Sequence, residues 1–257
     1  MEIIGNGFVA RNFRPLIRAH GHAVLFASGV SGAAAAEHTQ FAREAALLRA
    51  ALSRCAADGR QLVYFSTASG GLYGMPGPVP AHEGGPVRPR SPYGLHKRAM
   101  EELIAASAAP HLILRLATPA GPHQRGHQFL PALAAQVRGG LVHVYRGACR
   151  DVIDMRHVVA AVDELLAHGV CDETVNVATG FPVPVEEVVA ELEARLRAEP
   201  AVRRYVDGAA PEPRLAVGKL RRLAPSVDAM GFGPRYIRGV LDRYVGPVLS
   251  PAGPYGG

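Results

Sequence analysis

The first ten residues constrain the fold of this chain more than any other stretch. Met1-Glu2-Ile3-Ile4 is a short apolar run. It leads directly into Gly5-Asn6-Gly7-Phe8-Val9-Ala10, and helix-compatible residues follow from Arg11 to His20. A strand that passes through G-x-G-x-x-A into a helix is the opening unit of a parallel α/β sheet. Gly5 permits the tight turn, Gly7 lets backbone approach a bound group, and Ala10 lets the helix pack close. The start of the helix then points N–H groups and a positive dipole end at an anion such as a pyrophosphate. A glycine-rich turn also occurs in many α/β proteins, so the weight of this one depends on the motifs that accompany it along the chain.

The second informative stretch is Ser91-Pro92-Tyr93-Gly94-Leu95-His96-Lys97. Ser91 suits an N-cap and Pro92 the first helical position, so a helix begins here. Tyr93 and Lys97 then share one face, one turn apart. A nearby ammonium favours phenolate, so Lys97 is expected to lower the pKa of Tyr93. That suits Tyr93 to exchange a proton with a carbonyl/alcohol pair. Alone, Y-x-x-x-K is weak, because most such pairs are a surface tyrosine beside a lysine.

Between these stretches runs Leu62-Val63-Tyr64-Phe65-Ser66-Thr67-Ala68-Ser69, an apolar, β-branched strand that ends in hydroxyls. Ligands of open α/β sheets sit beyond the carboxyl ends of the strands. Ser66, Thr67 and Ser69 are therefore placed to hydrogen-bond a substrate carbonyl, or else they begin the turn at Gly70-Gly71.

Glycine turn, hydroxyl-ended strand and Tyr/Lys helix follow one another in a single order. In that order the chain resembles the extended short-chain dehydrogenase/reductases, the NAD-dependent epimerase/dehydratase family. Tyr73-Gly74 is similar to that family's Tyr-Gly. Leu112 to Pro122 resembles its strand beside the nicotinamide. Arg150-Asp151-Val152-Ile153-Asp154-Met155-Arg156-His157-Val158 resembles its R-D-x-I-x-x-x-D-V segment, with His157 where aspartate is common. Thr174 to Gly180 resembles its N-x-G-x-G strand, with a helix following from Val185 to Leu196.

The resemblance implies an α/β fold with a Rossmann-like, mostly parallel sheet and a small C-terminal substrate-binding part. It implies residues 1–150 as the dinucleotide-binding domain, residues 151–245 as a smaller part interleaved with the core, and residues 246–257 as a flexible tail. Catalysis would rest on Thr67, Tyr93 and Lys97, with Ser69 as the alternative hydroxyl if Gly70-Gly71 is an insertion. Cofactor contacts would come from Gly5, Asn6, Gly7, Phe8, Val9 and Arg11. Further contacts would come from Ala27, Ser28, Ser66, Tyr93, Lys97, Leu116 and Thr118. Substrate would meet Ser69, Tyr93, His123 and Gln128. Helices over 36–57 and 93–108 would pair across a homodimer.

Two departures from the family pattern carry information. A dinucleotide fold places an acidic residue about 20 residues after the glycines, on the adenosine ribose. Gly21 to Ser31 contains no Asp or Glu. His22 to Ser28 is more similar to the family's fourth strand than to its second, which implies that strands near the adenosine end are lost. Without that carboxylate a 2′-phosphate is tolerated, and Arg11 is the nearest cation, so NADP is favoured with NAD as the alternative. In addition, Ala68-Ser69 stands where the family's sugar dehydratases carry Asp-Glu. Dehydration is therefore not expected.

Composition bounds the rest. A chain of 257 residues with 48% hydrophobic content can hold one large α/β domain with an appendix. No run is long and apolar enough to suggest a membrane span, and no leader is read before the first strand. Cys55, Cys149 and Cys171 make an odd count with no C-x-x-C, which suggests reduced thiols in the cytoplasm. The net charge of +6 comes from scattered arginines without an aromatic platform, so no nucleic-acid partner is expected. An anionic small ligand suits it better. His123 and His127 lack accompanying carboxylate or thiol ligands, so no metal site is expected. The Pro/Gly-rich loop over 75–90 precedes the Tyr/Lys helix and is expected to border the site.

The leading expectation is an NAD(P)H-dependent ketoreductase acting on a carbonyl of a sugar, aminocyclitol or related natural-product intermediate, as in an antibiotic pathway. The alternatives are an NDP-sugar epimerase with tightly bound NAD, or a non-catalytic dinucleotide-sensing module.

Overall fold

The computed structural model describes residues 1–30, 38–74, 76–207 and 212–245. The expected tail over 246–257 and the first residues of the expected helix over 36–57 lie outside them.

The first half of the chain alternates strand and helix. It runs β1 (Glu2–Ile4), α1 (Phe8–Asn12), β2 (Ala23–Phe26), α2 (His38–Asp58), β3 (Gln61–Thr67), α3 (Gly70–Tyr73), α4 (Pro92–Ala105) and β4 (His111–Leu116). The second half runs β5 (Thr118–Ala120), α5 (Phe129–Arg138), β6 (Leu141–Tyr145), β7 (Cys149–Arg150), β8 (Val152–Asp154), α6 (Met155–Ala167) and β9 (Glu173–Val177). It ends with β10 (Val183–Pro184), α7 (Val185–Leu196), β11 (Val202–Val206), α8 (Gly218–Leu223) and α9 (Tyr236–Tyr244).

The main sheet is parallel and has the order β1-β2-β3-β4-β9. Every residue of β2 and β3 is buried. That accounts for their continuous apolar runs, since a parallel sheet is covered on both faces. One face packs against α1, α6 and α8. The other packs against α2 and α4 through Leu48, Leu52, Met100 and Ile104.

β1 pairs directly with β2 and, among the described residues, with no strand on its other side. The sheet therefore ends where the strands of the adenosine side would begin, in keeping with the reading of His22 to Ser28. The open edge is guarded by charge. Glu2 accepts hydrogen bonds from Arg54 at 2.8 Å and Arg60 at 2.7 Å. The Met1 ammonium donates to the carbonyls of Ile17 and Ala19.

The helix expected over Arg11 to His20 is instead the five-residue α1 followed by a 3-10 turn at Arg14–Leu16. Pro15 explains the break, since it lacks an N–H and disfavours helical backbone at the residue before it.

The two parts of the chain interleave. α5 and β6 pack with α7 and α9 in a second apolar cluster, beside the two-stranded parallel pair β6–β11. α6 and β9, later in the chain, return to the main sheet. The loop over 75–90 is tied to this side of the molecule. Ala81 bridges Leu215, and Glu83 accepts the Asn176 N–H at 2.8 Å.

Candidate active site

A cavity of about 350 Å³ opens at the carboxyl ends of β2, β3 and β4. This is where an open parallel sheet collects its ligands, because the strands end there and the chain turns away into helices. β3 delivers Ser66 and Thr67 to it, and Ser69 follows. α4 delivers Tyr93 and Lys97. Leu116 at the end of β4, with Thr118 and Gln128 beyond it, borders the cavity, and Phe8, Val9 and Ala27 close the glycine-turn side.

The start of α4 is dictated by its sequence. Ser91 Oγ accepts the Gly94 N–H at 3.0 Å, and Pro92 occupies the first turn. A Cβ on Gly94 would meet the Gly71 carbonyl oxygen at 1.8 Å, so only glycine lets α4 approach α3 this closely. Gly5 has the same character. Its φ is +123°, and a Cβ there would meet the Ala27 carbonyl oxygen at 2.5 Å.

The hydroxyls differ in their engagement. Thr67 Oγ1 accepts the Ser69 N–H at 3.2 Å. Ser66 Oγ is buried in the cavity with no hydrogen-bond partner. A buried hydroxyl without a partner costs stability, which marks this wall as one shaped for a polar ligand.

Lys97 is 2% exposed, and its ammonium is fully engaged. It donates to Glu44 Oε1 at 2.9 Å, to the Tyr64 hydroxyl at 3.0 Å and to the Phe65 carbonyl at 3.3 Å. It also lies 5.7 Å from the centroid of the Tyr93 ring. Glu44, on α2, is 1% exposed. It accepts the Tyr64 hydroxyl at 2.7 Å and the Val30 N–H at 2.7 Å, and His96 Nε2 lies 3.0 Å away. Burial opposes ionisation of Glu44, yet His96, Lys97, the Val30 N–H and Tyr64 together bring its carboxyl down to about 2.

The phenol of Tyr93 differs from the expectation based on Lys97 alone. Burial raises it above its ordinary value of 10; Lys97 pulls it down and Glu44 pushes it up. Tyr93 is half-buried at the cavity wall, and the hydration that its phenolate would lose there outweighs the pull of Lys97.

Several expected contact residues lie outside the cavity. Gly5, Asn6, Gly7 and Ser28 sit on the adjoining turns. Arg11 is exposed, and its Nε donates to the Asn6 carbonyl at 3.1 Å. His123 is exposed with a left-handed φ of 69°, whereas His127 and Gln124 of the same loop border the cavity. Among the described residues, none of the loop over 75–90 lines it.

Motif reading misses Glu44, although a signal is present. It falls on the apolar stripe of α2 with Leu48, Ala51, Leu52 and Cys55, and an acid on a buried stripe needs a partner. His157 has a structural setting, with its Nδ1 2.7 Å from the Tyr236 hydroxyl. Burial raises the thiols of Cys55, Cys149 and Cys171, the reverse of an activated nucleophile. Among the described residues no group of His, Cys, Asp or Glu has metal-ligand geometry, and no helix is long and apolar enough to cross a membrane.

Comparison with known proteins gives consistent matches. Residues 5–178 match the model of the NAD dependent epimerase/dehydratase family. A UDP-glucose 4-epimerase of Streptomyces lividans is 42% identical over 60 residues, which are 23% of this chain and 18% of that protein's length. Among solved structures, RMD from Pseudomonas aeruginosa, complexed with NADPH, superposes with a TM-score of 0.76 at 20% identity, covering 94% of this chain and 97% of that one. The dTDP-glucose 4,6-dehydratase DesIV from Streptomyces venezuelae, with NAD and TYD bound, gives 0.72 at 19% identity, covering 92% and 76%. The UDP-glucose 4-epimerase of Thermus thermophilus, in complex with NAD, gives 0.70 at 24% identity, covering 94% and 83%. These structural likenesses establish the Rossmann-like fold.

Proposed function

We propose that this chain, which belongs to the NAD dependent epimerase/dehydratase family, is an NAD(P)H-dependent ketoreductase for a carbonyl on a sugar or similarly polar intermediate. One observation carries the reading. Thr67, Tyr93 and Lys97 border a single cavity that, among the described residues, no carboxylate lines. Reduction needs one proton donor and a polariser for the carbonyl oxygen. Water loss needs further acid/base groups, and Ala68 and Ser69 do not supply them.

The residues fit a nicotinamide dinucleotide. The Gly5–Val9 turn would hold the pyrophosphate, Lys97 the nicotinamide ribose, and the unpartnered Ser66 Oγ and Thr118 the ring side. Bound there, the nicotinamide would supply the hydride. Thr67 Oγ1 donates a hydrogen bond to the substrate carbonyl oxygen, and Tyr93 Oη delivers the proton as charge develops on that oxygen. Gln128, and His127 in place of His123, hold polar groups of the substrate at the cavity mouth. NADP is preferred over NAD because the stretch from β2 to Ser31 carries no carboxylate to meet a ribose hydroxyl, and the exposed Arg11 is at hand to meet a phosphate. A second copy pairs through α2 and α4.

The test is a titration of the purified protein with NADPH and NADH, followed by NADPH oxidation with a panel of polar ketones. Tight NADPH binding with turnover supports the reading, and loss of NADPH preference in Arg11→Glu supports the role of that arginine. No binding of either nucleotide overturns it. The 60-residue likeness to a UDP-glucose 4-epimerase favours a second reading, epimerisation, for which NAD would copurify with the protein and free NADPH would not be consumed.

A further inference from the structure

We propose that the cleft between the start of α6 and one face of α9 binds a small phosphate monoester through Arg156, Arg235 and Arg243. The cleft has a volume of about 690 Å³ and shares no lining residue with the cavity that holds Tyr93. The inference therefore does not rest on the reaction carried out there.

One carboxylate organises the cleft. Asp154, the last residue of β8, is 0% exposed. Its Oδ1 accepts the Arg156 N–H at 2.9 Å and the Tyr244 hydroxyl at 2.7 Å. Its Oδ2 accepts Arg156 Nη2 at 3.1 Å and Arg243 Nη1 at 3.0 Å. A guanidinium carries five N–H donors, so neither arginine is exhausted by these bonds. Both side chains also stay about half exposed, at 50% and 43%. A buried acid thus holds two guanidiniums, one from α6 and one from α9, side by side on the cleft with donors to spare.

The spacing along α9 adds a third. Arg235 at the N-cap, Gly239 and Arg243 recur every fourth residue and so share one helix face. Glycine inside a helix is unfavourable relative to alanine. Packing does not demand it here, because a Cβ on Gly239 would meet nothing within 4 Å. Its effect is to keep the space between the two arginines open.

Charge indicates what the cleft takes. Other arginines of this part of the molecule have a carboxylate to themselves or nearly so. Arg238, also on α9, pairs with Glu191 at 2.9 Å, and Arg203 pairs with Glu193 at 2.8 Å. In contrast, Arg156 and Arg243 share Asp154, and among the described residues Arg235 pairs with no carboxylate. Three guanidiniums therefore face one acid that is itself out of water. The excess positive charge attracts an anion, and the planar guanidinium fork matches the oxygens of a phosphoryl group. Tyr236 Oη accepts the Asp154 N–H at 3.0 Å and lies 2.7 Å from His157 Nδ1. With the hydroxyl proton given to Nδ1, the imidazole keeps Nε2–H as a neutral donor. Pro234, Tyr236 and Val240 add carbon surface, and the volume exceeds what a bare phosphate fills. The ligand is thus an ester with a body of its own.

The test is calorimetric titration of the full chain with glucose 6-phosphate, glycerol 3-phosphate and ribose 5-phosphate, beside inorganic phosphate at matched ionic strength. Saturable binding of at least one ester, tighter than that of inorganic phosphate, is expected. Arg235→Gln and Arg243→Gln should each weaken it about tenfold or more, the loss of one charge-assisted contact. Arg238→Gln removes the same charge from another face of the helix and should leave the affinity unchanged. No saturable binding of any ester overturns the proposal. Equal weakening by Arg238→Gln overturns it too, since the effect would then be general surface charge. Binding untouched by Arg235→Gln and Arg243→Gln would place the anion elsewhere, and inorganic phosphate bound as tightly as every ester would mean an adventitious ion only; either result overturns it. A single-stranded oligonucleotide that binds through these arginines while the esters do not overturns the small-molecule class. Should Arg243→Gln fail to fold, Arg235→Gln decides by itself.

Discussion

Lys97 Nζ of α4 lies 2.9 Å from Glu44 Oε1 of α2, across 53 residues of sequence and with both side chains almost wholly out of water. Removing one partner of such a pair leaves a charge that the surroundings cannot solvate. Glu44→Ala is expected to lower stability by about 3–5 kcal/mol in urea or guanidinium unfolding. A loss below about 1 kcal/mol, the range of exposed pairs, would mean that the pair is not held in solution.

The same pair gives stability a pH dependence of known sign. The Glu44 carboxyl lies at about 2 in the folded chain against an ordinary 4.5. A depressed folded-state value means that the contribution is complete above 4.5 and is lost as pH falls toward 2. Unfolding midpoints measured across that window should drop more in wild type than in Glu44→Gln, where the titrating group is absent.

Tyr93→Phe removes the proposed proton donor and little volume. Turnover is expected to fall about 100-fold or more, with NADPH affinity retained. Comparable turnover in the variant would sink the assignment of Tyr93.

Ser91→Ala deletes the cap that starts α4. The Gly94 N–H loses its 3.0 Å acceptor, and stability should fall by about 1 kcal/mol. Since the cap sets the first turn that carries Tyr93, thermal unfolding and turnover measured together should both register the change.

Gly94→Ala tests the approach of α4 to α3. The new methyl would sit 1.8 Å from the Gly71 carbonyl oxygen, which is backbone and cannot rotate away. Overpacking of this kind costs about 1–3 kcal/mol or more, and turnover should fall with it as α4 moves. Thermal melts that match wild type would show that the two helices have room the structure does not display.

Local signals carried much of the fold. Met1–Ile4 with its glycine turn, the apolar run ending at Thr67, and the Ser91-Pro92 start of α4 are each dictated within a few residues. Backbone conformation and capping are short-range effects. α7 spans Val185 to Leu196, where the family resemblance implies a helix. The short α1 is less legible because Pro15 stops a run whose other residues tolerate helix.

Chain order alone dictates a parallel α/β sheet, the succession in which a glycine turn, hydroxyls and a Tyr/Lys pair reach its carboxyl edge, and the lack of an acidic residue from Gly21 to Ser31. Those are properties of neighbours in the chain. Packing settles which groups share an environment. It brings Glu44 to Lys97, leaves Ser66 Oγ without a partner, puts His127 rather than His123 at the cavity, and lets burial outweigh Lys97 at Tyr93. Charge and desolvation act through space and depend on how much water remains, and a linear string of residues does not contain that quantity until the chain has packed.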